Sequence, residues 1–188
     1  MFCLAGFNYL NHKLSSNTGN YLEIGVFNGD SIATLARNYP HLTIYGVDPF
    51  VEDGCTTHTS RVQENEHMPD QRANTHANIA GLPNIVLNEE FSSAFADRLT
   101  DAEVDAMKVR HVLIDGSHHY KDVIIDVHLA MRLIGNHGGS IVFDDVNLPD
   151  VRRAYDEFLE IYSGRYAPVE DLSHIDPGHI LGHVILPQ

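Results

Sequence analysis

The chain has 188 residues, 43% of them hydrophobic and 20% charged, which is enough for one ordinary globular domain with a substantial core. Its formal net charge of −14 argues against a nucleic-acid backbone as partner, because that binding is driven by Lys and Arg releasing counterions. No stretch reaches the length of a membrane span, and Met1 to Leu10 lack the basic start and cleavage site of a signal peptide, so a cytoplasmic location is expected. Cys3 and Cys55 form no CxxC pair and are expected to be free thiols rather than a disulfide, zinc or redox site.

In chain order, short apolar runs alternate with segments of helical period, the signature of a parallel α/β sheet. The first run is Tyr21 to Val26, with Gly25 and Gly29 at and beyond its end. Asp30 or Ser31 is expected to cap a helix through Leu35 and Ala36 that stops near Pro40. Leu42 to Val47 is the second run and closes on Asp48. A polar stretch from Glu52 to Met68 follows, and Asp70 is placed to cap a helix over Gln71 to Ala80. The third run, Asn84 to Leu87, leads to a helix around Ser93 to Leu99. His111 to Ile114 closes on Asp115, and Ile124, Val127, Ala130, Met131 and Ile134 mark a helix over Lys121 to Ile134. Ser140 to Phe143 closes on Asp144 and Asp145, before a helix over Asp150 to Tyr162. Tyr166 to Leu172 and His179 to Leu186 read as a terminal antiparallel hairpin. The whole of 1–188 reads as a single domain, with 1–20 as an N-terminal segment and the long 51–69 connection as a candidate lid.

Ligands of an open parallel sheet bind at the C-terminal ends of its strands. Glu23, Asp48, Asp115, Asp144 and Asp145 all lie in or just after strands, so this topology gathers carboxylates that are distant in sequence. Glu23-Ile24-Gly25-Val26-Phe27-Asn28-Gly29 is a strand and a glycine turn opening onto a helix. Glycine admits a ligand close to the backbone, and the helix start offers unpaired amides. Asp48 ends the next strand, where a carboxylate can accept both hydroxyls of a ribose. A dinucleotide site would share these features, but its fingerprint is GxGxxG and the spacing here is ExGxxxG. That difference favours S-adenosylmethionine (SAM) over NAD, with a plain tight turn as the alternative.

Segments Tyr21 to Phe50 and Val112 to Val146 resemble the class I SAM-dependent methyltransferases, especially the bacterial branch of Mg-dependent, macrolide-type sugar O-methyltransferases. The branch-specific part is Asp115-Gly116-Ser117-His118 together with Gly138 to Asp145. The resemblance implies a Rossmann-like methyltransferase fold: a mainly parallel seven-stranded sheet with a C-terminal antiparallel hairpin and helices on both faces. It implies that Glu23, Gly25 and Gly29 flank the methionine part of SAM, that Asp48 holds the ribose, and that Phe50 lies near the adenine. Asn88 to Phe91 would run along the adenine edge.

Three carboxylates at adjoining strand ends need a positive partner, and Mg²⁺ with oxygen ligands is the simplest one. Asp115, Asp144 and Asp145 are therefore the candidate metal ligands, with helix or turn caps as the alternative reading. The resemblance places acidic Mg²⁺ ligands at these positions and makes His118, the last residue of the Asp-x-x-His pattern, the general base beside Asp115. The chemistry is self-consistent: a bound cation acidifies a sugar or polyol hydroxyl, and a histidine titrating near neutrality takes its proton. A metal-independent methyltransferase and a non-catalytic SAM-binding module remain alternatives. Among the 13 histidines, His58, His67 and His76 show no zinc spacing and are read as surface residues. His119 is expected to be solvated and Tyr120 to pack. Glu64, Glu66 and His67 could face a substrate from the connection, and nothing in the pattern fixes an oligomeric state.

Overall fold

The computed structural model describes residues 19–51, 70–135, 138–162, 167–171 and 182–186, the last two stretches as backbone. Most of the N-terminal segment and nearly all of the 51–69 connection lie outside these residues, as do Cys3, Cys55, His58, Glu64, Glu66 and His67. Strands β1 (Asn20–Ile24), β2 (Ile44–Val47), β3 (Ile85–Asn88), β4 (Val109–Ile114) and β5 (Gly139–Phe143) pair in parallel in the order β3-β2-β1-β4-β5. Beyond β5, β7 (Gly182–Leu186) pairs antiparallel, and β6 (Ala167–Asp171) pairs antiparallel with β7. The helices are α1 (Asp30–Asn38), α2 (Gln71–Ile79), α3 (Ser92–Arg98), α4 (Asp101–Met107), α5 (Tyr120–Ile134) and α6 (Pro149–Ile161). No helix among the described residues is long and apolar enough to cross a membrane.

The two-residue side-chain period of the strands divides the core between the two sheet faces. Leu22, Ile24, Val112, Ile114, Ile141 and Phe143 share one cluster with Val127, Leu133 and Phe158 from α5 and α6. Tyr21, Ile44 and Val142 pack with Ile32, Leu35 and Ala36 of α1 on the other. Phe143 anchors the first cluster through an edge contact with Tyr155 and a tilted one with Phe158, at centroid distances of 5.2 and 5.5 Å.

Helix starts follow local chemistry. Asp70 caps α2 by accepting from Ala73 N at 2.9 Å, as the sequence predicts. Helix α1 instead takes Gly29, in the left-handed region, as its cap. Asp30 and Ser31 fall inside its first turn, because the Ser31 hydroxyl is drawn inward to Glu23. Helix α4 is absent from the sequence reading. Its signal was present as a capping box, in which Thr100 and Glu103 satisfy each other's backbone amides.

One buried polar group lies beneath the helical layer. Asp126 of α5 is 1% exposed, and its Oδ1 has no hydrogen-bond partner among the described residues. Burial pushes its carboxyl up to about 7 from 3.8, against the lowering effect of a Ser92 hydrogen bond. The folded protein thus keeps a proton that the unfolded chain has already lost across this interval, so stability falls as pH rises from about 4 to about 7. Asp126→Asn should remove that group's slope, which approaches about 1.4 kcal/mol per pH unit. Urea unfolding across the interval checks this, with a flatter profile expected for the variant than for the parent.

Candidate active site

The backbone ladder of the sheet runs one residue past each parallel strand. Asp48 N donates to Asn88 O, Gly25 N to Val47 O, Asp115 N to Ile24 O and Asp144 N to Ile114 O, all between 2.9 and 3.1 Å. The residues that begin the loops after β1, β2, β4 and β5 are therefore fixed in one row. Gly25 has φ +89°, and a Cβ there would lie 2.0 Å from the Asp115 carbonyl oxygen. The glycine turn and the acidic loop are in backbone contact, and only a residue without a side chain fits between them.

This rim also concentrates backbone strain. Phe27, Phe50 and Asp145 have φ of 52°, 46° and 51°, each shortly after a strand end. Non-glycine residues in this region are uncommon and gather at functional sites. Phe27, Val51 and Phe91, which follow β1, β2 and β3, are 48%, 52% and 56% exposed. Apolar side chains left open at three neighbouring loops make a surface suited to a flat, partly apolar ligand. The sequence reading named Phe91 only within a range and did not single out Phe27 or Val51. The clue available was an apolar residue in each loop at a strand end.

The acidic residues divide by task. Glu23, expected beside the methionine end of a cofactor, is 2% exposed and lies beneath the turn. Tyr21 Oη donates to its Oε2 at 2.7 Å, and the Ser31 hydroxyl donates to its Oε1. Burial drives the Glu23 carboxyl up to about 7, while hydrogen bonds from Ser31 and Tyr21 pull it back down. Glu23 therefore ties β1 to the first turn of α1. Asp48, expected to hold a ribose, accepts from Val26 N and Phe27 N on Oδ2, at 2.8 and 3.1 Å, and from Phe50 N on Oδ1 at 2.8 Å. A carboxylate has about four lone-pair sites, so three amides leave it about one for a hydroxyl. Phe50, expected near the adenine, is 8% exposed at the end of the same loop.

At the other end of the row, Asp115, His118 and Asp145 each present one ligand atom within 4.8 Å of the others. His118 Nε2 lies 3.0 Å from Asp145 Oδ2. Asp144 stands outside this group, contrary to the expected Asp115, Asp144 and Asp145 set: its Oδ1 accepts from Asp145 N at 2.8 Å. It shapes the turn that gives Asp145 its positive φ and turns that carboxylate toward His118. Its charge still reaches the cluster. Asp115 is driven well above the ordinary carboxyl range, first by burial and then by the charges of Asp144, Glu23 and Asp145. The site thus combines concentrated negative potential, carboxylate oxygens and one imidazole, a donor set that fits a hard divalent cation. His119 is exposed, as expected. Tyr120 donates to Glu157 and stacks under the Arg153 guanidinium at 3.9 Å, a packing role. His76 is on the surface and bonds Glu89 at 2.8 Å.

Residues 22–146 match a family described as a methyltransferase domain. The chain belongs to this class I SAM-dependent methyltransferase family. The matched stretch of this methyltransferase domain runs from β1 to just beyond Asp145, and so includes the whole rim. Uncharacterized protein R132 of Acanthamoeba polyphaga mimivirus is 29% identical over 154 residues, which are 79% of this chain and 63% of that protein. The chain thus spans less than two thirds of that relative's length. Among solved structures, the calicheamicin methyltransferase CalS11 shares the fold at a TM-score of 0.67 and 15% identity, over 97% of this chain and 78% of that one. The O-methyltransferase TomG from Streptomyces achromogenes, in complex with SAM, does so at 0.63 and 14% identity, over 99% and 81%.

The contact between the two loops gives a direct test. Gly25→Ala sets a side chain against the Asp115 carbonyl at an unfavourable φ and should destabilise the domain by about 3 kcal/mol. Denaturant unfolding of the variant beside the parent measures this, and a loss near zero would mean the loops are not in contact.

Proposed function

We propose that this chain transfers the methyl group of SAM to a hydroxyl of a sugar or small polyol, with Mg²⁺ held by Asp115 and Asp145. The observation that carries the reading is the contact of Gly25 with Asp115, which sets a cofactor turn beside a carboxylate-histidine cluster. The polyol acceptor is further supported by the description of CalS11 as a TDP-rhamnose 3'-O-methyltransferase. The exposed Phe27, Val51 and Phe91 suit an adenosyl group, and the unused lone pair of Asp48 suits its ribose.

When bound, the cation would acidify and orient the acceptor hydroxyl. The remaining steps fall to the chain itself. His118 takes the hydroxyl proton on Nε2, the ring nitrogen that faces the cluster, since its Nδ1 is buried, as the oxygen forms its bond to the methyl carbon. The carbon–sulfur bond breaks, its electron pair stays on sulfur, and S-adenosylhomocysteine (SAH) leaves. Asp145, 3.0 Å from His118 Nε2, stabilises the imidazolium once that nitrogen is protonated. The glycine turn and Asp48 fix the donor, so that the methyl group faces the hydroxyl in line.

The same His118–Asp145 contact favours a second reading, a metal-independent transfer in which this pair serves as base and stabilising carboxylate without a cation. Two measurements separate the readings. His118→Gln should lower kcat by about 100- to 10,000-fold with little change in SAM affinity, since a base contributes to the chemical step and not to donor binding. Asp115→Asn and Asp145→Asn should abolish any dependence of turnover on Mg²⁺. Turnover on a glycoside panel that is indifferent to EDTA would select the second reading. Failure of calorimetry to detect SAM or SAH binding would remove both.

A further inference from the structure

The glycine turn is held from outside by α2, a helix with no part in the proposed chemistry. Thr75 is the one buried residue of α2, and the helix face toward the turn is polar. The Thr75 hydroxyl lies 2.7 Å from Phe27 O and 2.8 Å from Gln71 O. Asn78 Nδ2 donates to Asn28 O at 2.8 Å and to Asp30 Oδ1 at 3.1 Å. Asn74 Nδ2 reaches Asn28 Oδ1 at 3.4 Å, and Arg37 of α1 donates back to Asn78 O at 2.9 Å. The fit is close: a Cβ on Gly29 would lie 2.9 Å from Thr75 Cγ2. Ile79, at the far end of the helix, supplies an apolar contact to the core beside α1.

We infer that Thr75 and Asn78 are positioning residues for SAM, acting by holding the glycine turn in its ligand-accepting shape. This rests on the reading of that turn as the SAM site. In a trans peptide the carbonyl and the following N–H point in opposite directions. With the carbonyls of Phe27 and Asn28 drawn toward α2, the N–H groups of Asn28 and Gly29 are turned to the other side of the loop. The Gly29 N–H there closes the turn on Val26 O at 2.9 Å. Phe27 holds a φ of 52°, a conformation a non-glycine residue keeps only when its surroundings impose it. The Thr75 hydroxyl has a single proton for two acceptors. Donated to Phe27 O it imposes that conformation, and donated to Gln71 O within its own helix it releases it. Binding a ligand on the turn favours the first arrangement, so SAM affinity and the docking of α2 are linked.

The test compares SAH binding, by calorimetry, across the full-length parent, Thr75→Val, Thr75→Ser and Asn78→Ala. Thr75→Val keeps the side-chain shape without the hydroxyl and should weaken binding roughly fivefold to tenfold, the effect of about one lost hydrogen bond. Thr75→Ser restores the donor and should bring affinity back to within about twofold of the parent. Asn78→Ala tests the second bond at a less buried position and guards against a Thr75 variant that fails to fold. Val104→Ala, in the core beneath α4, lowers stability without touching the turn and should leave affinity unchanged. Kinetically, the clamp variants should raise KM for SAM more than they lower kcat. If the parent binds SAH while folded Thr75→Val and Asn78→Ala both bind within about twofold of it, the clamp is overturned and the SAM site stands. An equal loss with Val104→Ala would overturn it too, by reducing the effect to general stability. If the parent itself binds neither SAM nor SAH, the parent reading falls and the clamp with it.

Discussion

The contact of the Gly25 backbone with the Asp115 carbonyl is the constraint on which the site depends. It holds two loops, 90 residues apart in sequence from Gly25 to Asp115, closer than any side chain would permit. Because β1 and β4 are neighbours in the sheet, their ends must meet, and the hydrogen bond from Asp115 N to Ile24 O sets them level. A donor seated on the first loop thus lies beside whatever the second loop activates. The distance between them is written into the sheet, where covalent geometry and the hydrogen-bond ladder resist change, and not into flexible side chains.

Around this contact, charge serves two purposes. Glu23 and Asp48 are largely occupied by the protein's own hydroxyls and amides, and they build the glycine turn before any ligand arrives. Such preorganisation lowers the ordering cost of binding. Asp115 and Asp145 converge on His118 at the partly exposed rim, and burial first, then the neighbouring carboxylates, raise the Asp115 pKa. Three carboxylates gathered at one point are an electrostatic attraction for a cation.

Much of the architecture was legible in the sequence because parallel strands buried on both faces read as apolar runs, four of the five here ending in a glycine or acidic residue. The runs around Leu22, Ile44, Ile85, Val112 and Ile141 became β1 to β5, and Asp70 became a cap. Helix α4 is hard to read because its buried apolar face is only Val104 and Met107, too short for a period to show. At the site, the pattern placed carboxylates at strand ends but could not aim them. The positive φ of Asp145 sends its side chain toward His118, whereas Asp144 folds back on the turn. Consecutive aspartates look alike in a sequence, and backbone conformation tells them apart. Likewise, the sequence pattern does not show that Tyr21 and Ser31 each donate to one oxygen of Glu23.

The central claim is that a methyl donor and an activated hydroxyl meet where the first and fourth strands end. A crystal structure with SAH and Mn²⁺ in place of Mg²⁺, recorded at the manganese absorption edge, addresses it most directly. The account places the anomalous peak between Asp115 and Asp145, with the SAH sulfur facing it across the Gly25 turn. A metal peak elsewhere, or SAH seated away from that turn, would contradict it.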